Sequence, residues 1–511
     1  MIFLPCLLAC TAPKIENEFP ELPPIVREKK ETVPIETNEI KGFSISLTGE
    51  IRGEIEPCGC PTLPYGGFER RANALRELRE NPLHQPLFQL DAGEMLLKGF
   101  FSNKGEQKED RARLIATLAK DIGVDAWALG PSDLFAIGLE ELQRLDSPPK
   151  ISATWTNEQG EWLFPPFAVI EKQGITLGVI GLSEEPTDPE IKKYISYHKP
   201  QDIIPKILPQ LPKDIDLLIG LGSIDDLQAE EIARTIPEIA LLLTTEGSHH
   251  QYPFYPYSDN KNSLIIEAPK QGRFIQQIQV VLGGNASEAP KALISEQEWR
   301  DWNLLQNQED SPRKKELEEK FLTLSQGNNL FYAELLPLNE VYDQENDISP
   351  KIDAFAQRTI KKAAAIAQTE TTPLEPGFAS SGRCASCHQK EMAKWSFSKH
   401  ARAWETMIHE KQTQNPECIT CHTTGFGQKG GFGELSTANI RKFKGVQCEA
   451  CHGPMRGHPE DESIHSVSVT KEVCLVCHDE ANSPAFNWEK YLRLATCQST
   501  EISDQNFDVE N

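Results

Sequence analysis

The sequence predicts a multidomain chain: an α/β domain, a charged helical connector, and a mainly α segment whose core is not made by side chains alone. Three observations predict it. From about Phe43, short β-branched runs alternate with amphipathic helical stretches over roughly 240 residues, the pattern of an α/β domain with a buried sheet. Between 291 and 370 the sequence turns helical and highly charged. From about Gly377 to Cys497 regular hydrophobic periodicity fades, and Cys-x-x-Cys-His occurs four times.

The elements follow in chain order. Residues 1–10 carry an apolar run, Ile2 to Ala9, ending in Leu7-Leu8-Ala9-Cys10. This resembles a bacterial lipobox, which implies a signal peptide and a lipid anchor on Cys10. Residues 11–41 are rich in Glu, Pro and Lys with little periodicity, a composition suited to a flexible tether. Residues 42–285 hold the α/β pattern. Strands are expected at Phe43–Thr48, Leu87–Leu90, Thr176–Ile180, Leu217–Leu221, Ile239–Leu243 and Ser263–Ile266. Helices are expected at Gly67–Arg79, Asp110–Ile122, Leu139–Leu145 and Leu227–Thr235. Residues 286–376 read as a helical connector that packs and spaces the domains. Residues 377–498 form the mainly α segment, and 499–511 an acidic, frayed tail.

The repeated motif carries the chemistry. Cys384 and Cys387, Cys418 and Cys421, Cys448 and Cys451, and Cys474 and Cys477 each offer two thiols that can form thioethers with haem vinyl groups. His388, His422, His452 and His478 follow directly, as proximal iron ligands must. Cys-x-x-Cys is also half of a zinc site, but zinc has no need of a His directly after every second Cys. The spacing therefore predicts four covalently bound haem c groups and electron transfer as the working chemistry. Haem attachment of this kind resembles the product of systems outside the cytoplasmic membrane, which implies the periplasm or cell surface.

A haem that only carries electrons needs a sixth ligand that stays in place. His400, His409, His458 and His465 are the remaining histidines of this segment; an exposed side chain is the alternative for His409 and His465. The formal net charge of the chain is -24, yet from residue 378 onward 14 Lys+Arg face 17 Asp+Glu, so most of the acid precedes the haem segment. Such a chain cannot neutralise phosphates, which excludes nucleic acid as a partner. The expected partners are periplasmic or membrane redox proteins.

Residues 378–497 resemble the tetrahaem cytochrome c-554 family. The resemblance rests on Trp395-x-x-Ser398-x-His400-Ala401, on PECITCHTTGFG, on Gly445-Val446-x-Cys448-Glu449-x-Cys451-His452-Gly453-Pro454-x-x-x-His458, and on CLVCHDEANSPAFNWEKY. It implies closely stacked haems, with His400 and His458 as distal ligands. Where relatives end in a histidine, this chain has Cys497. Three readings stand: a thiolate iron ligand, a five-coordinate haem, or a free thiol. An open or His/Cys haem would make the chain a multihaem oxidoreductase acting on a small nitrogen or sulfur compound, the alternative to a carrier.

The first domain resembles the 5′-nucleotidase branch of the calcineurin-like metallophosphoesterases, through SLTGEIRG from Ser46, GGFERRANALRELRE, FQLDAGEML, ALGPSDLFAIGLEELQRL and LLIGLGSID. The resemblance implies a two-sheet sandwich flanked by helices, with a dinuclear metal site at the strand ends. The ligand positions, however, fall on Glu50, Arg52, Glu94, Pro131, Ser132 and Ser223, and only His249 and His250 keep imidazoles. A guanidinium cannot coordinate a cation, so an active phosphatase is not expected. In the loop after the first strand, Cys58 and Cys60 read as a soft-metal pair or a structural disulfide.

Overall fold

The computed structural model describes residues 41–57, 64–81, 84–96, 106–245, 263–283, 291–292, 312, 315–316, 319, 329–372, 375–478, 482–483 and 485–495. Every element below belongs to one compact unit, Thr37–Asn511. Cys10, Cys58, Cys60, His249, His250 and Cys497 lie outside the described residues, and so do the tether and the tail.

The chain opens with β1 (Lys41–Thr48), α1 (Phe68–Glu80), β2 (Leu87–Asp91), α2 (Glu106–Asp121), β3 (Ala126–Ala128), α3 (Pro131–Ile137), α4 (Leu139–Arg144), β4 (Lys150–Ile151), β5 (Trp155–Thr156), β6 (Phe167–Lys172) and β7 (Ile175–Ser183). It continues with α5 (Pro189–Lys192), β8 (Ser196–Tyr197), α6 (Pro200–Ile207), β9 (Leu217–Ser223), α7 (Asp226–Thr235), β10 (Leu241–Thr244), β11 (Leu264–Glu267), β12 (Phe274–Leu282), β13 (Lys291–Ala292) and β14 (Leu330–Pro337). These strands form a seven-stranded sheet in the order β13-β14-β12-β1-β2-β3-β4 and a five-stranded sheet in the order β11-β10-β9-β7-β6. β5 and β8 pair separately.

The two sheets pack face to face. Phe43, Ile45 and Leu47 of β1 alternate along the strand and meet Leu177 and Val179 of β7 and Leu217, Ile219 and Leu221 of β9 in one buried cluster. A side-chain period of two delivers such a face. The outer face of the large sheet is covered by α1 and α2, through Leu75, Leu78, Ile115 and Leu118. The outer face of the small sheet is covered by α6 and α7, through Ile203, Ile204, Ile207 and Ile232. The layers are therefore helix, sheet, sheet, helix, the sandwich that the resemblance implies. Close strand approach needs glycine: a Cβ on Gly222 would stand 1.7 Å from the carbonyl oxygen of Leu182.

All six expected strands and four expected helices are present, with small changes at their ends. β12 has no counterpart among the expected strands, although it pairs along most of its length with both β1 and β14. Its sequence, FIQQIQVVL, is interrupted by glutamines, and Gln276, Gln277 and Gln279 are all buried. The segment 286–376, expected to be a helical connector, is only partly so. Leu330–Pro337 completes the large sheet as β14, because β12 presents an open edge that its backbone can pair.

The helical character appears in α8 (Ser349–Ala367), which starts with proline at its first turn, where no N–H is missed. Ile352 and Phe355 of α8 enter the core under α2. Ile360 packs on a second core, formed by Phe378, Trp404, Met407, Ile419, Phe432 and Phe443. One amphipathic helix thus serves both domains. The C-terminal domain is a set of short helices: α9 (Ser381–Cys384), α10 (Gln389–Ser396), α11 (Ala403–His409), α12 (Pro416–His422), α13 (Thr437–Phe443), α14 (Cys448–His452), α15 (Lys471–Leu475) and α16 (Trp488–Ala495).

Candidate functional site: four Cys-x-x-Cys-His turns

Each motif folds as a single helical turn. The His388 amide donates to the Cys384 carbonyl at 2.9 Å, and the His478 amide to the Cys474 carbonyl at 2.8 Å. The second and third motifs lie inside α12 and α14. In a helical turn, residues i, i+3 and i+4 share one face, so both thiols and the imidazole point the same way. The spacing legible in the sequence is thus a stereochemical consequence of the turn. Capping holds α12 in place: Asn415 accepts from the Glu417 amide at 2.9 Å.

The imidazoles are held at one nitrogen. His422 Nδ1 bonds the Ala403 carbonyl at 2.7 Å, and His458 Nδ1 the Ile464 carbonyl at 3.1 Å. A carbonyl only accepts, so in both rings Nδ1 carries the proton and Nε2 keeps its lone pair for a metal. His478 Nδ1 bonds Ser483 Oγ at 2.8 Å, and the ring stacks on Phe486 with centroids 5.0 Å apart. The His400 ring lies 6.1 Å from the His478 ring. Two metal–imidazole bonds of about 2 Å, plus about 1 Å from each nitrogen to its ring centre, sum to about 6 Å. At that separation His400 and His478 would be able to hold one iron between them. Burial lowers the pKa of His400 and so favours its neutral, ligating form.

The motifs adjoin in two pairs. The thiols of Cys384 and Cys448 share a hydrogen bond, which draws the Cys384 pKa down to about 7. The first and third motifs are therefore neighbours. Cys421 Sγ approaches the Val476 carbonyl at 4.0 Å, which sets the second motif beside the fourth. His458 sits by the first motif: its carbonyl accepts from Arg383 Nε at 3.4 Å, and Arg383 pairs with Glu460 at 2.6 Å. His409 is not drawn into any motif; its side chain is 84% exposed and bonds Glu410. His465 and His388 are also exposed.

The surroundings fit haem. Phe397, Ile408, Val467, Val476 and Leu494 are large, apolar and exposed. Helices α10, α15 and α16 bury no residue against protein. Short helices that find no protein core need another apolar surface to be stable, and a porphyrin held by these motifs would provide one.

Glu449 has a role that spacing alone did not reveal. It is 2% exposed and accepts from the amides of Ala379, Ser380 and Met455 at 2.8, 2.7 and 2.8 Å. It thereby ties the start of the first motif to the third. Gln447 adds a bond from the Ser381 amide at 2.7 Å.

At the strand ends of the first domain, Glu50, which the resemblance sets at a metal-ligand position, is held by the protein's own cations. Glu50 Oε2 pairs with Arg52 at 2.9 Å, and Glu50 Oε1 lies 3.6 Å from Lys270. Glu94 Oε1 accepts from Ser223 Oγ at 3.4 Å. Glu50, Arg52 and Glu94 all have positive φ, at 44, 51 and 57°, conformations that non-glycine residues rarely adopt. Burial, followed by the charge of Glu94, pushes the Asp133 pKa well above its ordinary value. Asp133 nevertheless accepts from the amides of Glu94, Met95, Leu96 and Gly130. Among the described residues, no three His, Cys, Asp or Glu side chains form a group able to hold a metal.

Residues 383–453 match the family model described as cytochrome c554 and c-prime, so the C-terminal domain carries a cytochrome c554 domain. Cytochrome c-554 of Nitrosomonas europaea is 36% identical over 94 residues, covering 16% of this chain and 39% of that protein. A snake venom 5′-nucleotidase of Gloydius brevicauda is 24% identical over 249 residues, covering 42% of this chain and 40% of that protein. The chain thus spans about two fifths of each of these relatives. The crystal structure of a 5′-nucleotidase precursor from Thermus thermophilus aligns with a TM-score of 0.44 at 16% identity, covering 64% of this chain and 60% of that one.

Proposed function

We propose that the chain is a periplasmic tetrahaem c-type cytochrome, tethered to a bacterial membrane through Cys10, that relays electrons between redox proteins. The observation that carries this reading is the His400–His478 pair, 6.1 Å apart beside a Cys-x-x-Cys-His turn, which would hold an iron between its rings. Haem, when bound, supplies an iron that takes up and releases one electron. The chain supplies everything that keeps this step small in reorganisation. Thiols at i and i+3 fix the ring edge, His422 and His478 are tied at Nδ1, and Phe486 stacks under His478. Adjoining motifs, first with third and second with fourth, shorten the paths between centres. The first domain serves as scaffold and docking module, with Glu50 neutralised by Arg52 and Lys270 where a phosphatase would need metals.

Mass spectrometry of the holoprotein tests the haem count: four haem masses are expected, one on each motif peptide, and zinc instead would overturn the reading. Electron paramagnetic resonance tests the role. Low-spin iron that does not respond to nitric oxide supports a carrier.

A second reading has one observation in its favour. Of the expected distal ligands, His409 and His465 are exposed, and His409 bonds Glu410. A haem open at one of those positions would act on a small nitrogen or sulfur compound. A high-spin signal that changes with nitric oxide supports it.

A further inference from the structure

The two domains meet at a buried ion pair that ends beside a haem-attachment cysteine. Arg111 of α2 pairs with Glu417 of α12, and Glu417 immediately precedes Cys418. Their side chains are 11% and 13% exposed. The same guanidinium nitrogen donates to the Gly53 carbonyl at 3.1 Å, next to Arg52 of the strand-end site. The Arg111 guanidinium also lies 6.0 Å from the ring centre of Phe355 on α8. One cation thus joins the loop after β1, α2, the bridging helix α8, and the helix of the second motif. The field of Glu417 crosses this boundary: after burial, Glu417 is the largest cause that raises the pKa of Glu56 in the first domain to about 7.

We propose that Arg111 and Glu417 are positioning residues for electron transfer: the pair docks the first domain on the second motif, and its two charges set the reduction potential of the haem held there. This rests on the haem reading above. Stability alone does not account for the pair, because exchanging a buried ion pair for neutral groups of similar size is often near neutral. Charge does have a consequence for redox. Reduction adds an electron, so a nearby cation favours the reduced state and a nearby anion opposes it, most strongly where water is excluded. With Arg111 and Glu417 together the two effects offset each other. Loss of either one leaves the other acting on the haem of Cys418, Cys421 and His422.

The experiment is a potentiometric titration of full-length holoprotein carrying Glu417→Gln, Arg111→Gln, Arg111→Lys, or Arg111→Gln with Glu417→Gln. Glu417→Gln is expected to shift the reduction equilibrium of one haem toward the reduced form by about tenfold, or about 59 mV for one electron. Arg111→Gln shifts the same haem the other way, Arg111→Lys stays close to the parent, and the double variant returns to within about threefold of it. Shifts of equal sign for the two single variants, shifts spread over all the haems, or no shift in Glu417→Gln would overturn the clamp. Mass spectrometry of the parent's Cys418–Cys421 peptide separates this from the underlying reading: a peptide without haem sinks that reading as well.

Discussion

Replacing Glu449 by alanine should unhinge the C-terminal domain while leaving every haem-binding residue in place. The carboxylate accepts three backbone amides at 2.7 to 2.8 Å and is 2% exposed. Hydrogen bonds to a charged group contribute about 1.5–3 kcal/mol each. Ala379, Ser380 and Met455 are not fully shut off from solvent, so water recovers part of that loss. A net cost of about 4 kcal/mol follows. For a domain of this size, 1 kcal/mol moves the melting temperature by about 4 °C, so the domain should melt about 15 °C lower. The assay is thermal unfolding of the holoprotein followed by haem absorbance, which reports on the C-terminal domain alone. Glu449→Gln should fall between the two, because an amide keeps one acceptor oxygen and adds a donor facing donors. A Glu449→Ala protein melting within about 3 °C of the parent would refute the assignment of Glu449 as the tie between the first and third motifs.

His400→Ala should convert one haem equivalent from low-spin to high-spin in electron paramagnetic resonance and leave the others unchanged, whereas His409→Ala should change nothing. His84 carries a pH dependence. Burial lowers its pKa from the ordinary value of 6.5 to about 4. The folded state therefore favours the neutral ring, and the stability tied to it is complete above pH 6.5 and lost as pH falls toward 4. The loss is about 3 kcal/mol, and His84→Gln should flatten that slope in urea unfolding between about pH 4 and 7. At the strand-end site, adding Mn²⁺ or Zn²⁺ should produce no cleavage of a phosphate ester, and a chelator should leave the melting temperature of the first domain unchanged. Metal-stimulated cleavage that is lost in His249→Ala would restore the hydrolase reading.

Much of the fold is legible in the sequence, and the failures have identifiable causes. β7 and β9 are read from apolar runs because both faces of those strands are buried, so hydrophobicity is nearly continuous along them, whereas β1 is read from the alternation of Phe43, Ile45 and Leu47 with Ser44 and Ser46. β12 escapes because its buried positions include three glutamines, and a buried amide looks like a surface residue until its partners are known. Gln276 bonds the Glu334 carbonyl at 2.9 Å, and Gln279 bonds His84 at 2.6 Å. β14 escapes because its pairing partner, β12, lies far upstream, and no local pattern encodes the open edge it fills.

The same division holds for the chemistry. Cys-x-x-Cys-His is a local object: one helical turn fixes both thiols and the imidazole, so four motifs can be counted with no knowledge of the fold. The pairing of histidines across the domain is not local. His400 lies 78 positions before the His478 ring, and only the fold of the domain brings the two rings to 6.1 Å. Resemblance pointed to His400 and His458, but it could not say which motif each one serves. Nor could it show that Glu449 is a tie, that Lys270, far along the chain, lies 3.6 Å from Glu50, or that Arg111 reaches Glu417 across 306 residues. The sequence by itself determined how many Cys-x-x-Cys-His turns there are and which thiols and imidazole each one presents, because those choices are made within five residues. Tertiary structure alone decided how the sites are paired, held and charged, because buried polar groups take their partners from whatever the fold brings within about 3 Å.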